Sequence, residues 1–139
     1  DLSDAYDRQL ERIQRGLMIH NGSCIIVQDE VNAPEKEVTV RWGFITEAEV
    51  EIESPKTALL KQNSRTMRVN ILSPDIAELE MYSSSEPKQE YDAPNPGTCM
   101  VGFTVKLKAG SENTFAVEFV PGSSNAQYKV KPLSSWKLD

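Results

Sequence analysis

The stretch that decides the fold is Arg15-Gly-Leu-Met-Ile-His-Asn-Gly-Ser-Cys-Ile-Ile-Val-Gln-Asp-Glu-Val31. Two apolar arms, 17–19 and 24–27, flank Asn21-Gly22. Asn-Gly accepts positive φ at both central positions of a type I′ turn, whose twist matches that of paired strands. The stretch therefore reads as an antiparallel hairpin. A further strand, 38–44, follows the second arm after a short link and is expected to pair next to it.

Upstream, 8–16 allows two readings. Tyr6, Leu10, Ile13 and Leu17 would form a helical stripe, whereas Ile13, Leu17 and Ile19 share one strand face with Arg15. Only Gly16 interrupts the run into the hairpin, which favours one long strand, and 1–7 reads as a ragged polar start. Downstream, Asn32-Ala-Pro-Glu is a turn, because Pro34 has no N–H to give to a ladder. Val38, Val40, Trp42 and Phe44 then alternate with Glu37, Thr39 and Arg41, the pattern of a half-buried strand. Ala48, Val50 and Ile52 continue it. Opposite them, Glu47, Glu49, Glu51 and Glu53 form a row that should face water and discourage edge-to-edge pairing.

The remaining segments are short. Strands are expected over 57–62 and over 66–72, the latter with Met67, Val69 and Ile71 inward. Ala77, Leu79 and Met81 alternate, so 76–81 reads as a strand rather than one helical turn. The proline-rich segment 83–97 is a loop long enough to be functional or mobile. Val101, Phe103, Val105 and Leu107 mark a strand over 98–108, answered across a hairpin loop by 114–120 with Phe115, Val117 and Phe119. A weak last strand, 128–133, lies in a tail, 123–139, that also carries Trp136. About nine short strands with little or no helix make this an all-β chain, an antiparallel β-sandwich spanning 1–139.

Composition narrows the function. The 139 residues and 39% apolar content can build a real core, and no apolar run is long enough to span a bilayer. A formal charge of −6 argues against nucleic acid, which is bound by releasing counterions to Lys and Arg. Two basic groups, Arg8, Arg12 and Arg15 early and Lys129, Lys131 and Lys137 late, read as solvated strand faces. Cys24 and Cys99 read as small buried hydrophobes, and a bridge between them would require neighbouring strands. With one histidine and no Cys-x-x-Cys, no metal site or cofactor is expected.

No catalytic residues are assigned. His20 sits beside the hairpin turn without an obvious Ser or Cys partner, and Cys24 has no adjacent base to lower its pKa. Asn21-Gly22-Ser23 matches a glycosylation sequon, but the turn explains it better. Four aromatic residues fall outside the core pattern: Tyr82, Tyr91, Tyr128 and Trp136. Flat apolar rings can stack on sugars, although packing against the sandwich edge is the better account of scattered aromatics.

Three stretches carry a resemblance: 10–31, with Arg15-Gly-Leu-Met-Ile and Ile25-Ile-Val-Gln-Asp-Glu-Val; Arg41-Trp42; and 66–74, ending in Leu-Ser-Pro. Together with 115–121 they resemble the C-terminal β region of heparinase II/III-like polysaccharide lyases, over roughly 6–122. The resemblance implies a longer, periplasmic or extracellular parent in which an N-terminal (α/α) toroid performs β-elimination on uronic-acid polysaccharides. The tyrosine and histidine of that reaction precede the matched part, so none maps onto this chain. Relatives often carry His-Thr shortly after the strand Trp; here Ile45-Thr46 stands there, and any glycan contact made by that histidine is absent. The expectation is a non-catalytic sandwich that supports the toroid and forms one wall of its substrate groove, with Arg12, Tyr91 and Trp136 as candidate glycan contacts. The alternatives are a carbohydrate-binding module or a structural, protein-interacting sandwich.

Overall fold

The structure, a computed structural model, describes residues 1–6, 9–84, 93–122, 124 and 128–136. Arg8, Tyr91, Lys137 and the middle of the expected 83–97 loop fall outside them. The described chain is nearly all strand: β1 (Arg12–His20), β2 (Cys24–Asn32), β3 (Val38–Thr46), β4 (Glu49–Ser54), β5 (Thr57–Gln62), β6 (Arg65–Ser73), β7 (Glu80–Ser83), β8 (Cys99–Leu107) and β9 (Glu112–Pro121). They form a six-stranded sheet, β1-β2-β9-β6-β5-β4, and a three-stranded sheet, β3-β8-β7, with every pairing antiparallel. The all-β sandwich of about nine strands is thus as the alternation predicts.

The opening hairpin forms. Asn21 and Gly22 have φ of 51° and 62°, and the Ser23 N–H donates to the His20 carbonyl at 3.1 Å. Three residues separate the last pair, His20 and Cys24, so Ser23 is added to the two-residue turn. Between the sheets, Trp42 stacks on Phe103 at 5.5 Å, Phe103 meets the edge of Phe115 at 5.7 Å, and Phe44 meets Phe119 at 5.2 Å. Each large side chain buried there contributes about 1.5–3 kcal/mol before the entropy of ordering is subtracted.

Four expectations need correction. First, 38–44 does not pair with the hairpin. The free side of β2 takes β9, and β3 crosses to the other sheet to pair with β8. Burial explains this. β2 is covered on both faces, with Cys24, Ile26 and Gln28 on one and Asp29 and Val31 on the other, as a central strand must be. By contrast, β3 exposes Thr39 and Arg41.

Second, the long strand begins at Arg12, not at residue 8. The start is not ragged throughout, because Ser3–Tyr6 form a 3-10 turn. The Leu2 N–H donates to the Ile13 carbonyl at 2.9 Å, the Ile13 N–H donates to Ser3 Oγ at 3.1 Å, and Leu10 is buried over that end of β1. Third, 76–81 is mostly irregular. Ala77 and Leu79 are buried while Ile76 is exposed, and pairing starts only at Glu80.

Fourth, 128–133 is not a strand. The tail crosses the outer face of the large sheet and is tied there by side chains. Gln28 Nε2 donates to the Lys131 carbonyl at 2.8 Å, and Glu30 Oε1 accepts from the Leu133 N–H at 2.6 Å. Tyr128 closes a second apolar cluster with Cys24, Ile26 and Val120, flanked by Met18, Val130 and Trp136.

Candidate functional site

The tail and β1 enclose a cleft of about 630 Å³ on the outer side of the large sheet, lined among others by Arg12, Gln14, Gly16, Glu30, Leu133 and Trp136. Two of the three candidate residues, Arg12 and Trp136, thus line one cleft although they come from opposite ends of the chain. The third, Tyr91, lies outside the described residues.

Strand alternation supplies the floor. Arg12, Gln14 and Gly16 project on the face away from the inter-sheet core, and the register sets Gln14 opposite Glu30. Arg12 is exposed, and its Nη2 donates to Gln14 Oε1 at 2.6 Å, which steers the guanidinium. At Gly16 the tail side chains approach closely: a Cβ built there would lie 2.4 Å from Leu133 Cδ2 and 2.8 Å from a Trp136 ring carbon. Trp136 is half-buried, with its ring edge-on to Tyr128 at 6.3 Å, and Tyr128 in turn packs edge-on to His20 at 5.2 Å. Aromatic packing therefore holds the indole in place beside the cleft.

The arrangement offers a cation, an amide, hydroxyls and a flat apolar surface. Glu30 is engaged by the Leu133 N–H, and no histidine or cysteine lines the cleft. His20 packs edge-on against Tyr128, and the thiol of its register partner Cys24 reaches its backbone carbonyl at 3.7 Å. Burial, reinforced by the nearby Glu118 carboxylate, pushes the Cys24 thiol above its ordinary value and keeps it protonated. Cys24 and Cys99 are free and stand in different sheets. Among the described residues no cluster of three His, Cys, Asp or Glu could hold a metal ion, and no helix is long and apolar enough to cross a membrane.

Other candidates lie elsewhere. Tyr82 is on the small sheet, where Arg41 covers its ring at 4.4 Å and its hydroxyl meets Glu80 and Thr104. A wider opening of about 680 Å³ at the turn between β5 and β6 is lined by Gln62, Asn63, Arg65 and Thr66 and holds no aromatic ring. At the inner face of β1, Arg15 grips the buried Asp29 with two bonds of 2.7 Å, which raises the guanidinium's own pKa.

Sequence reasoning missed Gln14, Gly16 and Glu30. Counting the register back from a two-residue Asn21-Gly22 turn would have set Asp29 opposite Gln14; the added Ser23 brings Glu30 there instead, and nothing local announces a tail arriving on Gly16. No protein-family profile matches the chain, and no curated protein matches it.

Proposed function

We propose that the chain is a non-catalytic β-sandwich module of a heparinase II/III-like polysaccharide lyase, supporting an (α/α) toroid and forming one wall of a groove for a uronic-acid polysaccharide. The observation that carries this reading is the shared cleft of Arg12 and Trp136. An acidic sugar chain needs a cation for each carboxylate or sulfate, polar groups for hydroxyls and a flat apolar face for the ring. Arg12, Gln14 and Trp136 provide one of each. Support also comes from the stretches of the chain that resemble that family. β-Elimination needs a base for the proton beside the carboxylate and an acid for the leaving oxygen. The cleft's one carboxylate besides Asp1 is occupied by the strap, so the wall positions and the reacting groups belong to the toroid.

The test is titration of the purified chain with a heparin-derived oligosaccharide, followed by calorimetry and by far-ultraviolet absorbance for an unsaturated product. Saturable binding is expected, weakened about tenfold, or about 1.4 kcal/mol, by Arg12→Ala. Absorbance should stay flat. Growth of an unsaturated product from the chain alone, or binding indifferent to Arg12→Ala, would overturn the reading.

A further inference from the structure

The two sheets differ in width by three strands, and the mismatch is not shared evenly between the two sides. Register rows across the large sheet show where the small sheet stops. One row runs Arg15–Asp29–Phe115, the next Leu17–Val27–Val117, the next Ile19–Ile25–Phe119. Trp42 of β3 lines a small cavity of about 150 Å³ with Arg15, Asp29 and Phe115, and Phe44 packs on Phe119. So β3 runs alongside these rows, and β1 projects beyond its edge.

That projection is covered at one end only. Near Ile13 the Ser3–Tyr6 turn and Leu10 close it, leaving Ile13 4% exposed. Further along the same face of β1, Leu17 and Ile19 are 67% and 70% exposed. The polar-side neighbours Gly16 and Met18 are more covered than this apolar pair. A strand that leaves its hydrophobic side to solvent while sheltering its other side lacks a neighbour above it.

The edge of β3 faces the same gap. Among the described residues, no backbone group of β3 bonds to anything but β8. Nine residues long, β3 keeps one register throughout, with no bulge, no proline and Arg41 as its one charge. Edges that must stay single are shortened or charged. The other edges show this: β7 has four residues, β4 carries Glu49, Glu51 and Glu53, and β1 carries Arg12 and Arg15 and is capped at Ile13 by the Leu2 N–H.

We propose that the free edge of β3 accepts one extended strand from a partner protein, with apolar side chains at every second residue. The strand pairs with the Trp42–Thr46 half of β3 and lowers alternate side chains onto Leu17 and Ile19. Main-chain hydrogen bonds supply the affinity, and the two apolar contacts set the register. A second copy of this chain does not fit, because two β3 edges brought together would drive two β1 projections into one space. Two exposed side chains are also far short of the ~1,000 Å² that a stable pair of globular surfaces buries.

The probe is a synthetic peptide as long as β3, with Val at alternate positions, Thr and Lys between, and alternate peptide nitrogens methylated so that one edge alone can pair. Amide exchange of the full chain is followed by NMR. At about 1 mM peptide, alternate amides of Trp42–Thr46 are expected to exchange at least about tenfold more slowly. A peptide methylated on the shifted set of nitrogens should protect nothing. Leu17→Lys with Ile19→Lys should weaken the peptide about tenfold while leaving the fold intact, because both side chains are already exposed. Protection at β1, β4 or β7, no protection at all, concentration-dependent protection of β3 without peptide, or binding indifferent to the double substitution would each overturn the proposal.

Discussion

Glu118 and its neighbours show how polar groups are placed beneath the tail. The carboxylate is 2% exposed and accepts from Asn70 Nδ2 at 3.3 Å, with the Cys24 thiol 3.7 Å from its other oxygen. Thr57 Oγ1 then donates to Asn70 Oδ1 at 3.2 Å, so the row runs across four strands, β2, β9, β6 and β5. Burial first, then the carboxylate, pushes the Cys24 thiol up, and burial pushes the Tyr128 phenol up. In the unfolded chain both groups lose their protons at lower pH than in the folded one. The stability they lend is therefore complete below their unfolded values and falls as pH climbs past the ordinary thiol and phenol values, about 9 and 10. Melting temperature should drop across that window, and Cys24→Ala with Tyr128→Phe should flatten the drop. An equally steep fall in the double variant would show that the alkaline loss arises elsewhere. The exposed Glu51–Lys61 and Glu37–Lys106 pairs, at 2.7 and 2.6 Å, contribute little by comparison.

Among the elements, the tail depends on β1 having no side chain at Gly16. Gly16→Ala places a methyl 2.4 Å from Leu133 Cδ2. Either the Leu133 and Trp136 side chains shift or the tail lifts, at about 1–3 kcal/mol for overpacking. Trypsin should then cut after Lys129 well before it cuts the sheets, and an unchanged digestion pattern would mean that the tail adapts. Such contacts explain what was legible in the chain beforehand. Alternation at Val101, Phe103, Val105 and Leu107 assigns faces correctly, since all four are buried. It does not assign partners: β3 and β9 offer similar inward faces, and only the two-sided burial of β2 decides which of them lies beside it. The run Phe115-Ala-Val-Glu-Phe-Val120 held an unread signal. Ala116 and Glu118 are as buried as Phe115 and Val117, so β9 had to be covered on its outer face as well, and the tail supplies that cover. Of the cleft, Arg12 and Trp136 were legible as residue types; their meeting depends on the strap, which has no period to read.

At the scale of the whole molecule there are two apolar clusters on opposite faces of one sheet, and they need not fail together. The larger lies between the sheets around Phe103, Phe115 and Trp42, while the smaller holds Cys24, Ile26 and Val120 under Tyr128. Deleting everything after Gly122 removes only the cover of the second. The truncated chain should keep the circular dichroism of β-structure, lose about 2–4 kcal/mol once the entropy of ordering the tail is set against lost burial, and bind a hydrophobic dye. Complete unfolding would show that the two clusters act as one core. The same deletion separates the two proposed surfaces. Leu133 and Trp136 leave with the tail, so affinity for the acidic oligosaccharide should fall, whereas β3, Leu17 and Ile19 remain and the peptide should still protect the Trp42–Thr46 amides. If both activities vanish from a chain that still shows its β-sheet signal, the strand-accepting edge depends on the outer face, and the independence argued from the register rows is wrong.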